Sequence, residues 1–238
     1  MEVLHSPKGF SLIELLITMG VLGIILAALG GLFTTTSKNY STQSELINNQ
    51  ENVRSTLDFM ARLLRDGVSS TVVIGGTSPN NTLTFSVIED FGRSSGGNTA
   101  TALNDGTKAW VTNQWQNYYI NIHSGTGSGQ TSKQIVSNAA SLLTIASSSP
   151  WTTVPDTTSD YKMMSSHSFS RSGNTLQYTK NGSTIDLSNN ITGLTAQLVG
   201  TAPGIRVDLT LSAQTANIRQ DTGQSGSGTL NSSVKMYN

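Results

Sequence analysis

Hydrophobic and polar positions fall into three successive patterns along this chain. The first is an apolar run from Phe10 to Phe33 (FSLIELLITMGVLGIILAALGGLF), in which one position, Glu14, carries a charge. About 20 helical residues cross the hydrocarbon of a bilayer, so the run predicts a membrane-spanning helix. The second pattern runs from Tyr40 to Asp66, where Leu46, Val53, Leu57, Met60 and Leu64 recur on one helical face; it predicts an amphipathic helix that Gly67 stops. On the opposite face Arg54, Asp58, Arg62 and Asp66 stand four apart with alternating sign, a solvated stripe whose pairs each add at most a few tenths of a kcal/mol. Past Gly67 the period changes to two. STVVIGG, TLTFSVI, NYYINI, NTLQYTKNGSTIDL and GIRVDLTLSAQ read as strands of an antiparallel sheet. Leu83, Phe85 and Val87 share one face of their strand, and Ile205, Val207, Leu209 and Leu211 alternate with Arg206, Asp208 and Thr210 as in a half-buried strand. Asn181 and Gly182 suit the two positive φ angles of a type I′ hairpin, and SSVKMYN reads as a closing edge strand.

Between these runs lie stretches rich in Gly, Ser and Thr: FGRSSGGNTATALNDGTKAW, HSGTGSGQTSKQ, SSSPWTTVPDTTSDYKMMSS and RQDTGQSGSGT. They carry too little apolar surface to fix themselves and are expected to move unless docked. Trp110, Trp115, Tyr118 and Tyr119 are core residues on the commoner reading and an exposed adhesive patch on the rarer one. With 14 basic and 14 acidic residues there is no field to attract nucleic acid, and no nucleic-acid partner is expected. The absence of cysteine excludes disulfide stapling. Behind the two helical segments roughly 170 residues remain, enough for one domain with its own core.

Catalytic chemistry is not legible. His5, His123 and His167 are scattered without a carboxylate cluster, no P-loop, G-x-S-x-G or H-E-x-x-H occurs, and neither a cofactor nor an enzymatic activity is expected. The acidic loop from Asp156 to Asp160 offers oxygens to calcium but lacks the ligand pattern of an EF-hand, so no metal site is assigned. The sequon at Asn190 follows from composition alone.

Glu14 needs a separate account, because an unpaired glutamate inside a lipid-spanning helix costs a few kcal/mol. An ordinary secretory signal leaves it unexplained and has a shorter apolar core ending in a small-residue cleavage site; ALGG, Ala28 to Gly31, is the nearest approach to one. The segment KGFSLIELL, behind the short leader MEVLHSPK, resembles the class III signal of type IV prepilins and type II secretion pseudopilins. The shared features are Lys8, Gly9 at the cut, Phe10 after it, Glu14 at the fifth position of the cut chain, and an apolar run placed behind the cut. The resemblance implies that a prepilin peptidase cleaves between Gly9 and Phe10 and methylates the new amine of Phe10. The freed ammonium lies four residues from Glu14, on the same helical face. In the family, the partner of this glutamate is usually the amine of a neighbouring subunit; a glutamate snorkelling to the interface without a specific partner is the blander alternative.

NNQENVRSTLDFMARLLRDG and the closing NNITGLTAQLVG, GIRVDLTL and VKMYN are similar to PilW-like minor pilins, with the minor pseudopilin J of type II secretion a related pattern. The resemblance implies an α+β, type IV pilin-like fold: leader 1–9, membrane or filament-core helix 10–36, amphipathic helix 37–67, and a β-rich head 68–238. It implies a minor pilin that helps start a type IV pilus, or alternatively a minor pseudopilin or DNA-uptake component; an anchored enzyme or binding module is the remaining alternative. The expected partners are the prepilin peptidase, other minor and major pilins or pseudopilins, the inner-membrane assembly platform, and lipid. The expected location is the inner membrane with the head outside the cytoplasm, then a surface pilus. By the same resemblance Gly30 and Gly31 stand near the helix-breaking proline of major pilins, a place expected to loosen in a filament; they are equally ordinary small residues of a membrane helix.

Overall fold

The computed structural model describes residues 11–200, 205–218 and 225–236. One helix, α1 (Leu12–Asp66), runs without interruption for 55 residues, about 80 Å at 1.5 Å per residue. The apolar and amphipathic segments are therefore one continuous helix, and Gly30–Gly31 does not interrupt it. A single 3-10 turn (Ser69–Thr71) then leads into the head.

The head contains β1 (Val73–Thr77), β2 (Asn80–Arg93), β3 (Ala102–Asn104), β4 (Tyr119–Ser124), β5 (Lys133–Asn138) and β6 (Leu142–Ile145). There follow β7 (Asp160–Ser172), β8 (Thr175–Lys180), β9 (Ser183–Ser188), β10 (Ile191–Val199), β11 (Arg206–Ile218) and β12 (Ser225–Lys235). They form one sheet in the order β12-β11-β10-β2-β7-β4-β5-β6-β3, with β1 on β2 and the β8–β9 hairpin on β7. Pairing is antiparallel except for a single parallel bridge between Leu194 of β10 and Asn80 of β2. The long apolar helix followed by an antiparallel-rich head is the expected α+β, pilin-like architecture.

Two cores result. Val53, Leu57, Met60, Ala61 and Leu64 of α1 pack on Leu83 and Phe85 of β2, Phe169 of β7, Leu194 of β10 and Leu209 of β11. Phe59 adds edge-on contacts to Tyr178 and Phe169, at 5.4 and 6.2 Å between ring centres. The second core lies around β3 to β6 and contains Trp110, Trp115, Ile120, Ile135, Leu143, Trp151 and Tyr161. Trp110 and Trp115 are thus core residues and not an adhesive patch, while Tyr118 is half-buried against them.

Several Gly/Ser/Thr-rich segments expected as loops are built into the fold. β3 lies inside the first of them, and β7, which pairs with three other strands, begins inside the third. Ser94, Asp105, Trp151 and Ser159 within them are buried. Hydrogen bonds dock the rest: Asn98 Nδ2 donates to Ser94 Oγ at 2.6 Å and to Pro155 O at 2.8 Å, and Gln130 Nε2 donates to Thr153 O at 2.8 Å. Most of the fourth segment lies outside the described residues. The hairpin at Asn181–Gly182 has φ of 49° and 87°, both positive as a type I′ turn requires. β12 pairs with β11 alone, so the closing strand is an edge. The helical stripe of Arg54, Asp58, Arg62 and Asp66 is exposed, and its members do not come within ion-pair distance of one another.

Candidate assembly interface

Every residue of α1 from Leu12 to Phe33 is exposed. The helix's most apolar 18-residue window has a mean hydropathy of 2.5 and is 0% buried. Leu12 is 83% exposed and Phe33 76%. So much apolar area on one helix demands lipid or protein around it, since exposed apolar patches of this size mark membrane or protein contact. Polar side chains within the run and just after it hide their polarity locally. Thr18 Oγ1 donates to the carbonyls of Glu14 and Leu15, each at 2.9 Å, and Thr34 and Thr35 donate to Gly31 O at 2.9 and 3.0 Å. Among the described residues, a Cβ built at Gly20, Gly23, Gly30 or Gly31 meets no atom within 4 Å, so none of these residues requires those glycines.

Glu14 sits in the first turn of α1, where its backbone N–H bonds Ser11 O at 3.0 Å and the helix dipole favours an acid. Its carboxylate is exposed among apolar neighbours. Gly9 and Phe10, the expected cleavage and methylation positions, lie outside the described residues.

The remaining candidate residues are committed to the head. Asp156 accepts from Thr158 N at 2.8 Å, Thr158 Oγ1 at 2.6 Å and Thr126 Oγ1 at 2.8 Å, which hold its carboxyl below the usual range. Asp160 takes a bidentate bond from Arg93, at 2.6 and 3.0 Å, and another from Ser124 at 2.7 Å; these keep it ionised far below that range. Among the described residues no three His, Asp or Glu gather as metal ligands. His123 Nδ1 lies 3.1 Å from Asp160 O.

One cluster has no counterpart in the sequence patterns. At a bulge in β2 the register skips Glu89. Its Oε1 accepts from Ser165 Oγ at 2.8 Å and from Lys180 Nζ at 3.0 Å. Ser165 Oγ is 2.6 Å from His167 Nε2, and His167 Nδ1 is 2.7 Å from Tyr178 Oη. A carboxylate only accepts, so the chain runs one way: Tyr178 donates to Nδ1, Nε2–H donates to Ser165, and Ser165 donates to Glu89. Burial pushes His167 down to about 4, with Lys180 adding to the shift, and so keeps the ring neutral. Burial works against ionisation of Glu89, but bonds from Ser165 and Lys180 outweigh it and hold its pKa below the ordinary value. Ser165 and His167 are 0% and 2% exposed. With both sealed from solvent, the chain is a structural polar core and not a nucleophile on display.

Residues 4–30 match the prokaryotic N-terminal methylation motif. No curated protein and no solved structure matches the chain. The motif, with the exposed apolar stretch of α1 that it largely covers, supports a type IV pilin-like subunit or pseudopilin, a class that a prepilin peptidase processes and that assembles with other pilins.

Proposed function

We propose that the chain is a PilW-like minor pilin, which helps initiate and build a type IV pilus at or near its tip. The observation that carries this reading is the exposed apolar stretch of α1, with Glu14 as its one carboxylate, most of which lies inside the methylation motif at residues 4–30. A helix of that kind serves twice: lipid covers it before assembly, and the helices of other subunits cover it afterwards. Cleavage after Gly9 and methylation at Phe10 prepare the second state, in which a neighbouring subunit's amine meets Glu14. The role is structural and not catalytic. Its partners are the prepilin peptidase, other minor and major pilins, and the inner-membrane assembly platform. The head, residues 68–238, projects from the outer side of the inner membrane and later from the pilus.

Deletion of the gene, followed by filament counts and gold labelling with an antibody to the head, tests the reading. Sparse filaments in the deletion strain and labelling at filament ends in the parent are expected. Normal filaments with lost protein secretion would instead identify a minor pseudopilin.

A further inference from the structure

β7 changes partners along its length. Residues Asp160–Met164 pair with β4 and residues from His167 onward pair with β8, while β2 follows the other side from Asp160 to Phe169. β4 and β8 therefore diverge at Ser165 and Ser166, and an open cleft of about 390 Å³ lies between the segment leading into β4 and the β8–β9 hairpin. Its size falls within the range of small-ligand sites, about 300–1,000 Å³. The groove between α1 and β11–β12, at about 50 Å³, is too small for more than solvent.

The cleft walls are rigid turns. Asn117 and Asn181 face it with φ of 70° and 49°. Asn117 N donates to Ile135 O at 2.9 Å. Asn181 N donates to Ser166 O at 2.9 Å, and Asn181 Oδ1 accepts from Ser166 N at 2.8 Å, leaving its amide nitrogen for the cleft. The Tyr118 ring is held edge-on by Trp115 at 5.1 Å, with Lys180 Nζ 5.8 Å from its centre.

The charge balance narrows the ligand. Among the described residues, Lys180 is the one ionised group lining the cleft, and Glu89 at 3.0 Å neutralises it. An anion would therefore find no uncompensated cation. What is presented instead is neutral and able both to donate and to accept: the amides of Gln116 and Asn117, and the Ser183 hydroxyl. Beside them lie the Tyr118 ring and Ile185, which is 54% exposed. Neutral two-way polar groups on fixed turns beside an apolar wall match a compound with many hydroxyls and a C–H face. We infer that this cleft binds a neutral carbohydrate. The cleft belongs to the head alone and stands whether or not the chain enters a filament.

Saturation-transfer NMR on the full chain in phosphatidylcholine nanodiscs, with lactose and N,N′-diacetylchitobiose as probes, tests the inference. Transfer to the ring protons of at least one probe is expected. Asn117→Gly preserves the left-handed backbone and deletes the amide, and Ser183→Ala deletes a hydroxyl at an exposed site. Each is expected to weaken binding by roughly fivefold, the worth of one hydrogen bond, with an unchanged melting temperature. Absence of transfer from both probes, equal binding by the variants, or competition by inorganic phosphate would overturn it.

Discussion

Gly67, where α1 ends, lies against Met236, just past the last strand: a Cβ on Gly67 would come within 2.8 Å of Met236 Cε and 2.9 Å of Phe85 Cδ2. The helix end and the chain's closing segment thus share one small space. Gly67 has φ of −73°, which any residue adopts, so the requirement for glycine here is steric and not conformational. Gly67→Ala gains about 0.4–1 kcal/mol from a stiffer unfolded chain and loses about 1–3 kcal/mol to overpacking. A net loss of about 1 kcal/mol in denaturant unfolding is expected, and it should shrink in a Met236→Ala background.

A second expectation concerns acid. His167 is held neutral, its pKa lowered by burial from 6.5 to about 4. Between those values the unfolded chain binds a proton that the folded chain refuses, so stability is fully present above about pH 6.5 and falls as pH drops toward 4. At about 1.4 kcal/mol per pKa unit the loss is at most about 3.5 kcal/mol. The lowered carboxyls of Glu89 and Asp90 act in a lower window, losing their contribution as pH falls below the ordinary carboxylate values. Unfolding curves for His167→Gln should therefore lie flatter than wild type between about pH 4 and 6.5 and run parallel to it below.

Because the head core draws on α1 only from Val53 onward, a chain starting near Lys38 should be folded, soluble and monomeric. Circular dichroism with mixed α/β character and a single sedimenting species would agree. Aggregation would place the boundary between anchor and head elsewhere.

How much of this was legible depended on where polar residues fall. β2 and β11 alternate cleanly and were visible; β7 was not. Its buried positions include Tyr161, Met163 and Phe169 but also Ser165 and His167, so a core strand carries polar residues at inward positions and its hydrophobic period breaks. β5 fails for the same reason, with Lys133 and Asn138 buried. Trp110 and Trp151 reach the second core from irregular segments, where no period could place them. The polar chain from Glu89 to Tyr178 joins residues on three strands through a bulge that no local pattern announces. The isolated place of Glu14 was legible without any fold, because one charge in an apolar run stands out.

Glu14→Leu separates insertion from assembly. The change keeps helix propensity and apolarity, so membrane insertion and cleavage after Gly9 should persist. Docking onto a neighbouring subunit should weaken by about 2–5 kcal/mol, the cost of leaving a buried partner charge unpaired. Processed protein retained in the membrane with fewer filaments, counted by electron microscopy, is the expected outcome. Normal incorporation into filaments would make Glu14 a tolerated interfacial charge.

The central claim is that the apolar helix stays on a processed subunit, and intact-mass spectrometry of the membrane and sheared-filament fractions tests it most directly. A chain beginning at Phe10 with one added methyl group is expected in both fractions. A chain that retains the leader through Gly9, or one that starts at or beyond Gly31, would contradict it.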